Sequence, residues 1–157
     1  MKTLNKLLSF SLIFACTFTY AQNISGKIVG VMDGDTVKLL TPDNHEVKIR
    51  LAEIDAPEKA QAFGQASKKS LSDMAFGKDA QAKCTGSDRY ERQICTIFVS
   101  GVNVNQAQVH RGFAWVYRQY AAKDSPLLDS ERLAKSQRTG LWADNEPVPP
   151  WEYRKRQ

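Results

Sequence analysis

Glu46-Val47-Lys48-Ile49-Arg50-Leu51 alternates apolar and charged residues, and Ala52-Glu53-Ile54-Asp55-Ala56-Pro57-Glu58 follows it directly. A period of two puts Val47, Ile49 and Leu51 on one side of a strand and Lys48 and Arg50 on the other. This is a half-buried strand with Arg50 on its polar face. Pro57 then pins a turn with Asp55 before it and Glu58 after it. A stable fold does not need an arginine and two acids this close together. A site that holds a cation beside an anion does.

Reading outward, Ile24 to Val31 and Thr36 to Leu40 are rich in β-branched and apolar residues around Asp33-Gly34-Asp35, and they predict two strands. Thr41-Pro42-Asp43-Asn44 is a turn leading into the alternating strand. Gln65 to Phe76 has the pattern of an amphipathic helix closed by Gly77. Ala80 to Cys84 and Ile94 to Val99 predict two more strands, joined by the polar segment Thr85 to Arg92. Asn105 is placed to cap a helix running to Arg111 and ended by Gly112. A third helix is expected after Ser125-Pro126, with serine as cap and proline in the first turn, stopping near Gly140. The tail from Glu146 is proline-rich, basic at its end and expected to be irregular. Five short strands with helices between and after them give an α+β chain, mainly β: a small barrel with helices packed around it.

Residues 1–21 stand apart. Lys2 and Lys6 precede the apolar run Leu7 to Phe18, and Thr19-Tyr20-Ala21 offers small residues for cleavage. The pattern is that of a secretory signal peptide removed after Ala21, leaving one domain over residues 22–157 that is secreted or periplasmic. The run falls short of the roughly 20 residues that span a bilayer, so no stable membrane association is expected. Lipid attachment at Cys16 is the other reading of this segment, and the bulky Phe14 suits it poorly. The leader takes two of the 22 basic residues and none of the 17 acidic ones, so the net charge falls from +5 to +3. That balance permits an anionic partner without demanding one. Cys84 and Cys95 remain as an even pair in an exported chain, which favours a disulfide; two reduced cysteines packed in the barrel is the alternative.

Asp33 and Asp35 bracket a glycine, and Asp55 and Glu58 bracket a proline. Brought together, the two turns would supply the oxygen ligands that a hard divalent cation takes. His45 and His110 are isolated, so no zinc cluster competes. Arg50 and Arg92 add guanidinium forks that match phosphate oxygens. A cation, two arginines and a spare carboxylate are the parts that phosphodiester hydrolysis uses.

The motifs Val31-Met-Asp-Gly-Asp-Thr-Val37, Arg50-Leu-Ala-Glu-Ile-Asp-Ala-Pro-Glu58 and Asp88-Arg-Tyr-Glu-Arg92, in this order, resemble the staphylococcal nuclease (thermonuclease) family. The resemblance runs over essentially all of residues 22–157, more weakly through Gly112 to Tyr117 and Thr139 to Trp142. It implies an OB-fold barrel of five strands with three helices. It also implies a calcium-dependent nuclease that acts on DNA and RNA, favours single-stranded or locally unpaired regions, works as a monomer, and leaves 3′-phosphate and 5′-hydroxyl ends. Carried over, the calcium carboxylates fall on Asp35 and Asp55 and the carbonyl ligand on Ala56, with Asp33 one layer out. The water-activating glutamate falls on Glu58, and the phosphate-binding arginines fall on Arg50 and Arg92. Arg89 and Tyr90 match positions near the nucleotide phosphate. The nucleotide-stacking tyrosine aligns with Tyr117 or Tyr120, both of which also suit packing.

Two departures stand out. Ala56 replaces a threonine, where only the carbonyl is needed. Glu91 replaces the glycine that usually precedes the second arginine, adding a negative charge and altering the turn. The family's lysine-rich loop is also shortened, to Lys59 to Phe63. A catalytically silent barrel that only binds nucleic acid is the rival reading. The full set Asp35, Arg50, Asp55, Glu58 and Arg92 argues against it, because binding alone has no chemical use for all five.

Overall fold

The computed structural model describes residues 22–157. The leader, its cleavage after Ala21 and the alternative at Cys16 lie outside the described residues. Strands β1 (Gln22–Val31), β2 (Thr36–Leu40) and β3 (Glu46–Leu51) form an antiparallel meander, and β5 (Asp79–Ser87) and β6 (Gln93–Val99) form a hairpin whose first strand pairs with β1. Parallel pairing of β3 with β6, Ile49 opposite Gln93 and Leu51 opposite Cys95, closes the five strands into a barrel. The inward residues are those that the period of two selects: Val37, Leu39, Ile49, Leu51, Ala82 and Ile97 are all buried. The long first strand serves both sheet neighbours, and a register shift between Ile28 and Gly30 lets it bend from one to the other.

Two-residue strands complete the frame. β4 (Ile54–Asp55) pairs with β8 (Trp115–Val116), and β7 (Val102–Asn103) extends the edge of β6. Three helices pack on the barrel: α1 (Gly64–Ala75), α2 (Val104–His110) and α3 (Leu127–Ser136). The first lies one residue from its expected bounds. In the second, the cap is Asn103, whose side chain accepts the Gln106 N–H, and not Asn105. Asn105 points inward, accepting from Ile97 N–H and donating to the carbonyls of Ala52 and Cys95. The shift arises because the β7 pairing ends at Asn103, so the helix starts two residues earlier than the apolar pattern suggests.

The third helix stops at Ser136, short of Gly140. Arg138 has φ of 53°, which ends the helical run, and Gly140–Ala143 forms a separate 3₁₀ turn. Pro126 takes the cap position itself, and the Ser125 hydroxyl donates to Glu53 at 2.6 Å. The tail is not irregular throughout. Pro149-Pro150 starts a fourth short helix, α4 (Pro150–Tyr153), which runs into a 3₁₀ turn over Arg154–Arg156. Cys84 and Cys95 are cross-strand neighbours in the β5–β6 hairpin and form a disulfide.

Candidate active site

The site is built where three turns meet at one rim of the barrel. The turn between β1 and β2 carries Asp33-Gly34-Asp35. Its glycine is required by contact, because a Cβ there would lie 1.9 Å from the Ser67 hydroxyl and 2.7 Å from the Ala56 side chain. Gln108 of α2 donates to the carbonyls of Gly34 and Ser67, locking the turn onto α1. Asp33 accepts the backbone N–H of Asp35, which sets the approach of the second acid. Asp35 Oδ2 then accepts the N–H of Ala56, so the first turn is stitched to the proline turn.

Arg50 sits between the two turns. Its guanidinium lies 2.9 Å from Asp35 Oδ2 and 2.9 Å from Asp55 Oδ1, and it also donates to the carbonyl of Ile54. The polar strand face read from the sequence is therefore the floor of the site, and Arg50 is largely buried there. Asp55 is held rigidly, with its strand paired to β8 and its side chain only 2% exposed. Behind β8, the buried Glu131 accepts the N–H of Val116 and pairs with Arg118 and Lys135, which fixes that strand in turn.

Arg92 enters from the β5–β6 hairpin. Asp88 accepts from its Nε and from its backbone N–H, and Arg92 Nη1 reaches the Thr36 hydroxyl at 3.4 Å, next to Asp35. Glu91 lies in the left-handed region, with φ of 61°, where the family's usual glycine would be unstrained. The turn still brings Arg92 to the rim. Tyr90 is exposed beside it, with the guanidinium groups of Arg89 and Arg92 over its ring at 4.9 and 5.5 Å.

Glu58 faces the same rim, and its partner comes from a part of the chain that sequence reasoning assigned no role. Arg154 donates to Glu58 Oε1 at 2.8 Å and makes a two-point contact with Asp55, at 2.8 and 3.3 Å. Only Arg154-Lys155-Arg156 as a basic run marks the residue in the sequence, and nothing local singles it out. Gln61, whose side chain accepts the Glu58 N–H, is likewise a positioning group outside the motifs, and Asp88, which opens the third motif, holds Arg92. Tyr117 lies in an aromatic row, stacked on Trp151 at 5.5 Å and edge-on to Tyr120 at 4.9 Å, while Trp115 meets both Trp142 and Trp151.

The electrostatics follow the geometry. Burial pushes the Asp35 carboxyl up to about 7; Arg50 opposes this, while Asp33 and Asp55 add to it. Burial also works upward on Asp88, but hydrogen bonds from Arg92 and from backbone N–H groups outweigh it and hold the carboxyl below its usual range. The hydrogen bond to Asp55, followed by that to Glu58, holds the Arg154 guanidinium above its ordinary value.

The residues present suit a hard cation. The donors are carboxylate and carbonyl oxygens, and Asp35 and Asp55, now paired with Arg50 and Arg154, are the carboxylates that a bound cation would share. Among the described residues, no three His, Cys, Asp or Glu side chains gather into a metal cluster. Two carboxylates completed by backbone and water oxygens would make an open shell of the kind a hard divalent cation takes.

Fold and site together define an OB-type barrel with acids and arginines converging on one rim. Residues 48–144 match the model of a family described as Staphylococcal nuclease homologue. An "Uncharacterized endonuclease" of Haemophilus influenzae is 41% identical over 151 residues, covering 96% of this chain and 83% of that protein. One of the same name from Escherichia coli O157:H7 is 41% identical over 136 residues, 85% of this chain and 87% of its own length. A "Micrococcal nuclease" of Shigella flexneri is 34% identical over 140 residues, 83% of this chain and 80% of that protein. The chain belongs to the staphylococcal nuclease family.

Proposed function

We propose that the chain is an exported, calcium-dependent nuclease that hydrolyses DNA and RNA and leaves 3′-phosphate and 5′-hydroxyl ends. The observation that carries this reading is Arg50 bridging Asp35 and Asp55 at 2.9 Å each, with Glu58 and Arg92 on the same rim. Asp35, Asp55 and the Ala56 carbonyl would hold the calcium, and Asp33 orients Asp35. Bound calcium supplies positive charge beside a phosphoryl oxygen and makes a nearby water more acidic.

The chain's own residues do the rest. Glu58 accepts a proton from water as the water oxygen attacks phosphorus. The bond from phosphorus to the 5′ oxygen breaks, that oxygen takes a proton from solvent, and the phosphate stays on the 3′ oxygen. Arg50 and Arg92 keep guanidinium hydrogens beyond those used on Asp35, Asp55 and Asp88, and these meet the phosphoryl oxygens as charge grows on them. Arg89 and Tyr90 would flank the path of the strand, and Tyr117, stacked on Trp151, would line it as part of the aromatic row.

Export is supported by the apolar leader and by the Cys84–Cys95 bridge, which persists in oxidising compartments. A binding-only barrel has no use for a glutamate clamped beside the buried Asp55. The decisive assay incubates residues 22–157 with DNA and with RNA, in calcium, in magnesium and in chelator. Turnover in calcium and little in magnesium is expected. Equal turnover with both ions, or full turnover in excess chelator, refutes the reading.

A further inference from the structure

We infer that Arg154 is a positioning residue for this cleavage: it clamps the Glu58 carboxylate to the buried Asp55 and so aims the oxygen that accepts the water proton. The inference rests on the nuclease reading of the site. Glu58 is a half-exposed side chain with several freely rotating bonds, and left alone it would sample many rotamers. Arg154 supplies the side-chain hydrogen bond that restrains it, at 2.8 Å. The guanidinium is itself fixed, because its other contacts form a fork on Asp55, whose side chain is 2% exposed and whose Oδ2, with one donor against two on Oδ1, keeps a lone pair for the cation Asp55 would hold. A planar fork joining two carboxylates holds their relative geometry in a way that a point charge cannot.

The tail that delivers Arg154 is anchored independently. Trp151 stacks on Tyr117 and meets Trp115 edge-on, and the Val148 carbonyl accepts from Gln61 Nε2 at 2.6 Å. The other end of the same amide, Gln61 Oε1, accepts the backbone N–H of Glu58 at 3.1 Å. Glu58 is therefore tied to the tail twice, through its carboxylate by Arg154 and through its backbone by Gln61. A contact made only by chance at the surface would not be matched by a second link to the same residue. The C-terminal segment is in this way one wall of the site.

The test uses the full chain after its leader, with R154A, R154K, E58Q and the double variant R154A/E58Q. R154A is expected to lower kcat about 30- to 100-fold with KM within about threefold, as for a catalytic group displaced by a fraction of an ångström. R154K restores part of the rate, to within about tenfold of wild type, because it keeps one bond to Glu58 but not the fork. In the E58Q background R154A has no further effect, since it acts through Glu58. In metal-free protein the three-bond Hβ–Hγ couplings of Glu58 report a single rotamer in wild type and rotamer averaging in R154A. Four results overturn the inference: an R154A rate equal to wild type, a faster R154A, which would make the tail a brake, an equal loss in the E58Q background, or Glu58 couplings in R154A that still report a single rotamer. If R154A melts below assay temperature, R154K alone and in the E58Q background carries the same comparison. Wild-type protein without turnover removes the nuclease reading itself, and the inference with it.

Discussion

Arg50 uses its Nη1 group on Asp35 and the Ile54 carbonyl and part of Nη2 on Asp55, which leaves Nε and one Nη2 hydrogen for an incoming phosphate. A lysine at this position has three donors at one point and cannot both bridge two carboxylates and offer a fork. Arg50→Lys should therefore fail to rescue, with a loss of roughly 3–4 kcal/mol in transition-state stabilisation, read from kcat/KM. Glu58→Gln should lower kcat strongly and leave substrate affinity, measured in the presence of calcium, nearly unchanged. Asp35 makes a separate prediction about pH. Its carboxyl is raised from 3.8 to about 7 in the folded chain, so the folded state holds a proton that the unfolded state has already released. The stabilisation is present below about pH 4 and is lost as pH rises through 7. In chelator, denaturant unfolding should show wild type losing on the order of a few kcal/mol relative to Asp35→Asn between pH 4 and 8. Parallel pH dependences in the two proteins would remove the buried, protonated Asp35. With calcium at pH 6, calorimetry in buffers of different ionisation enthalpy should register proton release on binding.

Strands were legible because a period of two is a local signal: Val47, Ile49 and Leu51 declare their face within six residues. The parallel closure of β3 on β6 was not, since nothing in either strand names a partner more than forty residues away. Helix starts were misread where another pairing competed, as at Asn103, and the α3 stop was set by Arg138 adopting a positive φ, not by Gly140. The motif acids and arginines were legible because each lies in a tight turn whose neighbours supply the geometry. Arg154 was not, because it meets Asp55 across 99 residues and its own neighbourhood reads as an ordinary basic end. Glu91 is the opposite case, a departure visible in the sequence with a measurable backbone consequence. Its φ of 61° places a side-chain-bearing residue in the left-handed region. Glu91→Gly should stabilise the hairpin by about 0.5–1 kcal/mol, since glycine takes this conformation without the Cβ clash. Arg92 stays anchored by Asp88, so kcat should not fall. An unfolding midpoint lowered by the glycine would show that the turn is unstrained, or that Glu91 makes a stabilising interaction.

The barrel closes where β3, β5 and β6 meet, and the Arg92 hairpin leaves it there. Cys95 lies there, opposite Leu51 across the closure and opposite Cys84 across the hairpin, and its carbonyl accepts from Ala52 and Asn105. The register of β5 on β6 shifts between Cys84 and Gly86, immediately beyond the bridge, so the bridge marks the last pair before a bulge, after which pairing resumes with Gly86 opposite Ile94. A cross-link between residues 11 apart removes chain entropy from the unfolded state worth roughly 2–3 kcal/mol in the loop-closure model. Replacing both cysteines by serine should cost at least that, since two buried hydroxyls lose apolar packing as well. For a chain of this size the melting midpoint should fall by about 6–12 °C. Catalysis should respond differently. The Arg92 turn keeps its own clasp, Asp88 bonded to Arg92 and to the Tyr90 N–H, so at temperatures well below melting kcat should fall by no more than about threefold. Circular dichroism melting and single-turnover rates on the same preparations separate the two effects. A barrel that remains folded but loses its rate on reduction would show that the bridge, and not Asp88, holds Arg92 at the rim.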